Sequence, residues 1–294
     1  MARKKIVVTG ANGYIASLVG LYNSDKFDVV PVTRADVDFS DPGHVRDYFS
    51  GMDYDLLFHT AAVASTALCE SDPEMTRRVN VESPKALAEV GADKGARLVF
   101  ITTEQTFNAK TSGAPFAEDA EPESHSHYGR QKSEVDAWLA GSDIDYVTLR
   151  LSWMMGLPLH GVRPSPNVAL QVLEALRTDT PASFKVHDKR CLTYAQKLAD
   201  SFAAVTELPC GCYNFAAEQS ESVYRCARRL AVAFGATGAQ IDRLVLPDYE
   251  SYAEQPRDYR LDSAKIRAAG IDPGTFEDNV AAMMADFGFP KKPF

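Results

Sequence analysis

The run Ile6-Val7-Val8-Thr9-Gly10-Ala11-Asn12-Gly13-Tyr14-Ile15-Ala16 constrains this chain more than any other. Its uniformly apolar start predicts a strand buried on both faces, as in a parallel sheet. Tyr14–Tyr22 then reads as a helix, and the two glycines between let the backbone turn sharply and approach a ligand. Strand, glycine turn and helix in that order aim N–H groups at an anion, which suits a dinucleotide pyrophosphate. The spacing is G-x-x-G-x-x-A, and Ala16 is small enough for the helix to pack on the strand. Two glycines alone would equally mark a plain tight turn; the strand and helix around them select the dinucleotide. Gly10, Asn12, Gly13, Tyr14 and Ile15 are the first cofactor candidates.

The same alternation continues to residue 150. Strands are predicted at Phe27–Thr33, Asp55–His59, Arg97–Thr102 and Asp145–Arg150. Helices are predicted at Pro42–Phe49, Pro73–Gly91 and Tyr128–Leu139. This pattern predicts an α/β fold, a Rossmann-type doubly wound parallel sheet with its ligand outside the carboxyl ends of the strands. Near residue 155 the pattern changes. A Pro/Gly-rich connector, Gly156–Pro166, leads to helices near Val168–Arg177, Tyr194–Val205, Glu221–Phe234 and Phe276–Phe287. Short strands are expected around Ser183–His187 and Ile241–Leu246. The division is a dinucleotide-binding domain, 1–155, and a smaller mixed α/β substrate-binding region, 156–294, segments of which can return to the first sheet.

Charge narrows the partners. Lys and Arg number 31 against 40 Asp and Glu, a net charge of −9, and the basic residues are scattered. That argues against a nucleic-acid or anionic-membrane surface. There is no run of 18 apolar residues, and the Met1-Ala2-Arg3-Lys4-Lys5 start has no apolar signal region, so a cytoplasmic protein is expected. Cys69, Cys191, Cys210, Cys212 and Cys226 read as reduced thiols, and Cys210-Gly211-Cys212 lacks a second pair for zinc; no metal is expected. His125 and His127 read as solvated loop residues, with sugar contact as the alternative.

Arg34 stands at the tip of the second predicted strand, where an NAD site usually carries an acid. A guanidinium pairs with a 2′-phosphate, so NADP is the expected cofactor, and nearby Asp36 and Asp38 leave NAD open. Tyr128 and Lys132 share one helix face at i and i+4. A neighbouring ammonium is expected to bring the phenol toward a working pKa. Thr102 and Thr103 end the fourth strand, at the edge where a hydroxyl could orient a substrate oxygen.

With those residues in place, the chain resembles the extended short-chain dehydrogenase/reductases, and among them most closely the dTDP-4-dehydrorhamnose reductase family. The resemblance covers nearly the whole chain. It is carried by TGANGYIA at 9–16, DFSDP at 38–42, TAAVAS at 60–65 and SDPEMTRRVNVESPKALA at 71–88. It continues through TTEQTFN at 102–108, YGRQKSEVD at 128–136, LRLSWMMG at 149–156, LTYAQKLAD at 192–200 and LDSAKI at 261–266. It implies an NADPH-dependent reductase of a keto group on a nucleotide-linked sugar. By the same resemblance Thr103, Tyr128 and Lys132 form the catalytic set, with Thr102, Tyr128 and Lys132 also by the cofactor. Asp38 and Phe39 lie by the adenine, Ala61 and Ala62 along the cofactor, and Trp153 beside the sugar. Asn80 matches a superfamily residue that orients active-site backbone, whereas Trp138 reads as core.

The sugar-facing positions depart from the family. Its S-T-D-Y-V-F becomes Thr102-Thr103-Glu104-Gln105-Thr106-Phe107, so Gln105 stands where a tyrosine faces the sugar. Val63 and Ala64 replace an aromatic and a threonine, and Arg190-Cys191-Leu192-Thr193 replaces Gly-x-Pro-Thr. The neutral Gln105 also argues against a 4,6-dehydratase, which needs a glutamate base there. Arg190 has the spacing of the diphosphate-binding arginine of related epimerases, and Arg257 is a second candidate of that kind. A nucleotide sugar is thus the expected partner, and a homodimer is compatible with the reading. Two alternatives stay open: an NAD-dependent nucleotide-sugar epimerase, and a non-catalytic NADP-binding subunit like the β-subunit of methionine adenosyltransferase.

Overall fold

A computed structural model describes residues 3–290; Met1 and Ala2, which begin the charged N-terminal run, lie outside them. In chain order the elements are β1 (Lys5–Thr9), α1 (Tyr14–Tyr22), β2 (Asp28–Val32), α2 (Pro42–Ser50), β3 (Leu56–His59), α3 (Thr66–Ser71) and α4 (Pro73–Arg77). Then come α5 (Ser83–Asp93), β4 (Arg97–Thr103), α6 (His127–Ala140), β5 (Tyr146–Leu151), β6 (Trp153–Met155) and α7 (Val168–Thr178). These are followed by β7 (Ala182–Lys185), β8 (Asp188–Lys189), β9 (Leu192–Tyr194), α8 (Ala195–Val205), β10 (Gly211–Phe215) and α9 (Val223–Ala233). The last are α10 (Gly238–Leu244), β11 (Val245–Asp248), β12 (Arg257–Asp258), α11 (Ala264–Ala268) and α12 (Phe276–Asp286).

The chain falls into two compact units. Among the described residues the first comprises 3–110, 118–151 and 198–214; the second 111–117, 152–197 and 215–290. A six-stranded sheet in the order β10-β5-β4-β3-β1-β2 builds the first unit. Ile6 pairs in parallel with Val29 and Leu56, Leu57 with Leu98, and Phe100 with Thr148. All four residues of β3 and all six of β5 are buried, as in a sheet covered on both faces; β3 is apolar but for His59 at its end, whereas β5 also buries Thr148 and Arg150. Phe49, Leu57, Leu87, Phe100 and Leu139 fill the core between sheet and helices. Each such side chain contributes about 1.5–3 kcal/mol by leaving water. Because β1 sits between β2 and β3, successive connections depart from it to opposite sides. The switch point that results lies at the carboxyl ends of β1 and β3.

The second unit packs α7, α9 and α12 around short parallel pairs, β11 with β7, β12 with β8 and β6 with β9. Val172, Leu230, Phe276 and Met283 form its core. Residues 198–214 return to the first unit and bring β10 to the sheet edge. Arg97 anchors them there by donating to the carbonyls of Thr206 and Leu208.

Two of the expected elements take another form, and α3, α11 and the strands β6, β8, β9, β10 and β12 are not among those expected. The helix expected over Pro73–Gly91 is broken into α4, a π-helical turn at Arg78–Glu82, and α5. Pro84 has no N–H for the carbonyl of Asn80, four residues back, so the helix widens there. The strand expected at Ile241–Leu246 is mostly helix α10. Thr237 and Gln240 make a reciprocal capping box, and the strand starts only at Val245.

Candidate active site

The glycine turn behaves as a cradle. Gly10 has φ +64°, and a Cβ there would lie 2.9 Å from the Ala61 nitrogen and from Thr60 Oγ1. A Cβ on Gly13 would lie 3.0 Å from the Gly10 carbonyl oxygen. Gly13 caps α1 with no side chain, which leaves the helix's first N–H groups available to an anion. The ends of β1 and β3 are stitched together: Thr60 Oγ1 donates to the Thr9 carbonyl (2.7 Å), and Thr9 Oγ1 meets His59 Nδ1 (2.8 Å). Burial holds the His59 imidazole down near pH 3, so it is neutral.

A cavity of about 750 Å³ opens at this switch point. Gly10, Asn12, Gly13, Arg34, Asp38, Phe39, Ala61 and Ala62 all border it. Eight of the expected cofactor residues therefore converge. Tyr14, Ile15, Thr102, Tyr128 and Lys132 do not border this cavity. Tyr14 is buried in α1, and desolvation pushes its phenol up. Thr102 is buried on β4, with its hydroxyl near Asp136.

The residues of the expected catalytic set sit on β4 and α6. Ser126 caps α6 by accepting from the Gly129 N–H (3.1 Å), and Asn108 Nδ2 donates to the same Ser126 Oγ (2.8 Å). Gly129 fits against the strand-end loop so tightly that a Cβ would lie 2.3 Å from the Gln105 carbonyl oxygen and 2.1 Å from Ser124 Oγ. The absence of a side chain at 129 thus lets Tyr128 stand beside the end of β4. Thr103 Oγ1 donates to Glu104 Oε2 (3.3 Å) and accepts from the Gln105 N–H (3.2 Å). Gln105 is pinned on both sides, donating to Glu104 Oε1 (3.1 Å) and accepting from Asn108 Nδ2 (3.3 Å). Asn80, at the π-helical turn, clamps the Val63 backbone by accepting from its N–H (2.8 Å) and donating to its carbonyl (3.0 Å). It also donates to Gln131 Oε1 (2.8 Å), tying that loop to α6.

The electrostatics correct one expectation. Lys132 does not bring Tyr128 down. Burial pushes the phenol up, and the buried Glu104 carboxylate and Cys69 push it further. Lys132 is itself buried; desolvation lowers its ammonium to about 8. Its Nζ donates to the Ile101 carbonyl (2.9 Å) and lies 4.4 Å from the Phe100 ring centroid.

Trp153, Arg190 and Arg257 belong to the second unit. Arg190, expected to clasp a diphosphate, is only 2% exposed and donates through Nε to the equally buried Asp188 (2.8 Å). Its guanidinium lies 4.2 Å from the Tyr259 ring and 5.2 Å from Trp153. Asp188 balances its charge, and the pair lies in the interior of the second unit rather than at its surface. Arg257 is the more accessible arginine, 3.6 Å over the Tyr252 ring, and Tyr252 holds a left-handed φ of +65°. His125 and His127 take loop and helix-start positions. The His127 N–H donates to Glu70 (2.7 Å), and among the described residues no group of three or more ligands could hold a metal. No helix among them is long and apolar enough to cross a membrane.

Sequence reasoning missed Glu104, Asp136 and Arg150. For the first the signal was its place directly after Thr103; for the other two it was an acid one turn past Lys132 and an arginine in an otherwise buried strand.

This fold and site define an extended short-chain dehydrogenase/reductase, an NAD(P)-dependent oxidoreductase. The model of the RmlD substrate binding domain family matches residues 4–289, and the chain belongs to that family. It is 27% identical, over 95% of its length and 97% of the relative's, to the probable low-salt glycan biosynthesis reductase of Haloferax volcanii. It is 24% identical to the spore coat polysaccharide biosynthesis protein SpsK of Bacillus subtilis, over 92% of this chain and 93% of that one. The dTDP-4-dehydrorhamnose reductase of Bacillus anthracis, solved in complex with NADP, has the same fold. The TM-score is 0.81 at 17% identity, covering 97% of this chain and all of the other.

Proposed function

We propose that the chain is an NADPH-dependent reductase of a keto group on a nucleotide-activated sugar. What carries this reading is one arrangement. The Gly129 contact with Gln105 and Ser124 packs the start of α6, which carries Tyr128 and Lys132, against the end of β4, in the same unit as the glycine-lined cavity. The bound nicotinamide would supply the hydride. Tyr128 keeps its proton at neutral pH because burial and Glu104 disfavour the phenolate, so it is suited to donating that proton to the incipient alkoxide. Lys132 brings a positive charge toward the cofactor ribose, and Thr103 orients the carbonyl. Gln105, held by Glu104 and Asn108, offers a fixed amide to the sugar where the family has a ring. Trp153 is proposed to lie beside the sugar.

Local hydrogen bonding favours NADPH over NADH. Asp36 Oδ2 accepts from both the N–H and the hydroxyl of Thr33 (2.7 Å each). Asp38 Oδ1 accepts from the N–H (2.8 Å) and hydroxyl (2.7 Å) of Ser40. Both acids are thereby engaged in their own turns, while exposed Arg34 borders the cavity. Arg34→Ala is expected to weaken NADPH binding by about tenfold or more with NADH nearly unchanged, since a charge-assisted pair is worth roughly 1.5–3 kcal/mol. Equal weakening of both cofactors in a fluorescence titration would rule this out.

The two arginines of the second unit should separate cleanly. Arg257→Ala is expected to raise the substrate KM more than it lowers kcat, the mark of lost uniform binding to a diphosphate. Arg190→Ala is expected instead to cost about 3–5 kcal/mol of stability, because it strands Asp188 as a buried unpaired charge. Denaturant unfolding with parallel kinetics tests both; a stable Arg190→Ala protein with a raised KM would return the clamp to Arg190. The function itself is tested by steady-state assay of 4-keto nucleotide sugars with NADPH.

A further inference from the structure

One turn beyond Lys132 on α6, and on the same face, stands Asp136, whose side chain is 11% exposed. Its Oδ2 lies 3.7 Å from Nη2 of Arg150 on β5, itself 4% exposed. Arg150 is fixed by the Phe107 ring 5.0 Å from its guanidinium and by Asn214 Oδ1 at 3.5 Å. The hydroxyls of Thr102 on β4 and Thr148 on β5 are buried near the same carboxylate without a hydrogen bond to it. Buried acids and bases of this kind are costly unless they compensate one another, so the arrangement calls for a role.

Lys132 needs a counter-charge. The titratable groups that face it are Asp136 and Tyr128 on its own helix, Cys69 on α3 and His59 on β3. His59 is neutral and burial pushes the Cys69 thiol and the Tyr128 phenol up, so none of these three carries charge at neutral pH. Asp136 is the one left. It is faced in turn by Arg150, Lys132 and Tyr146.

We propose that Asp136 is a positioning residue that supplies the counter-charge of Lys132 and is itself held by the buried Arg150. Burial raises the Asp136 carboxyl to about 6, and Arg150 opposes that rise more strongly than the hydroxyls or Lys132. Above that pH the carboxylate supports the Lys132 ammonium up to about 8. Below it, the lysine stays protonated but loses its partner. The two groups titrate as a coupled pair, and a change in one is visible at the other. The consequence for catalysis rests on the role proposed for Lys132; the coupling itself does not.

The test reads Lys132 directly in the cofactor-free protein, by carbon-13 NMR of labelled lysine Cε, with the signal assigned by its loss in Lys132→Met. The wild type is expected to show a main midpoint near 8 and a smaller inflection near 6. Asp136→Asn should lower the main midpoint by about one pH unit or more and erase the inflection, and Asp136→Glu should restore both. An unchanged midpoint in Asp136→Asn would overturn the proposal. Should that variant not fold, the wild-type spectrum decides: no inflection near 6 overturns it, because His59 and Cys69 titrate far from that pH. Turnover measured separately distinguishes the two claims, since a coupled Lys132 in a protein that reduces nothing would sink the proposed function alone.

Discussion

Tyr128→Phe is expected to lower kcat by about 10²–10⁴-fold, the range a positioned general acid contributes, while NADPH binding changes little. Phe keeps the ring and its packing on α6 and removes the group that delivers a proton to the forming alkoxide. The pH dependence sharpens the expectation. The phenol is raised by burial, Glu104 and Cys69, so it stays protonated throughout the working range and sets no limb of the profile there. Lys132 is lowered by desolvation to about 8, so kcat/KM should fall as pH rises through that value and the ammonium is lost. Lys132→Met should remove that limb and also weaken NADPH binding. If Tyr128→Phe instead retains turnover within a few-fold, Tyr128 is not the donor.

Gly129→Ala is the second large effect. The new Cβ would meet the Gln105 carbonyl oxygen at 2.3 Å and Ser124 Oγ at 2.1 Å. Ser124 can rotate; the Gln105 carbonyl belongs to the turn that follows β4 and cannot yield without moving Thr103 and Glu104. Overpacking of this kind costs roughly 1–3 kcal/mol and at times more. The expected result is a lowered unfolding midpoint in denaturant together with a loss of about 10²-fold or more in kcat, as Tyr128 and Thr103 are pushed apart. A protein as stable and as active as wild type would show that this contact does not set the site.

What could be read in the sequence was local. Strand, glycine turn and helix at 6–22 are written in consecutive residues, so the cradle and Gly10, Asn12 and Gly13 of its cavity were legible there; Arg34 followed from the tip of the second strand, and Asp38, Phe39, Ala61 and Ala62 from the family resemblance. Tyr128 and Lys132 were legible for the same reason, as neighbours on one helix. The expectation that Lys132 lowers the phenol failed because it weighed one neighbour. Glu104 and Cys69 reach Tyr128 only through the tertiary fold. Asp136 was invisible as a partner of Arg150 because β5 must lie beside α6 before the two meet. Arg190 had the spacing of a clamp, but nothing in that spacing says that Asp188, two residues earlier, takes its charge. Two errors were avoidable. Thr237-x-x-Gln240 is a written helix start, and Pro84 in the long helix marks a place where its hydrogen bonding must change.

The measurement that bears most directly on the account is steady-state oxidation of NADPH in the presence of a panel of 4-keto nucleotide sugars, with NADPH binding followed in parallel for wild type and Tyr128→Phe. At least one sugar is expected to drive oxidation by the wild type, and Tyr128→Phe to bind NADPH equally well but turn over at least about 100-fold more slowly. If both proteins bind NADPH alike and neither oxidises it with any sugar, the catalytic set is vestigial and the chain is a binding subunit.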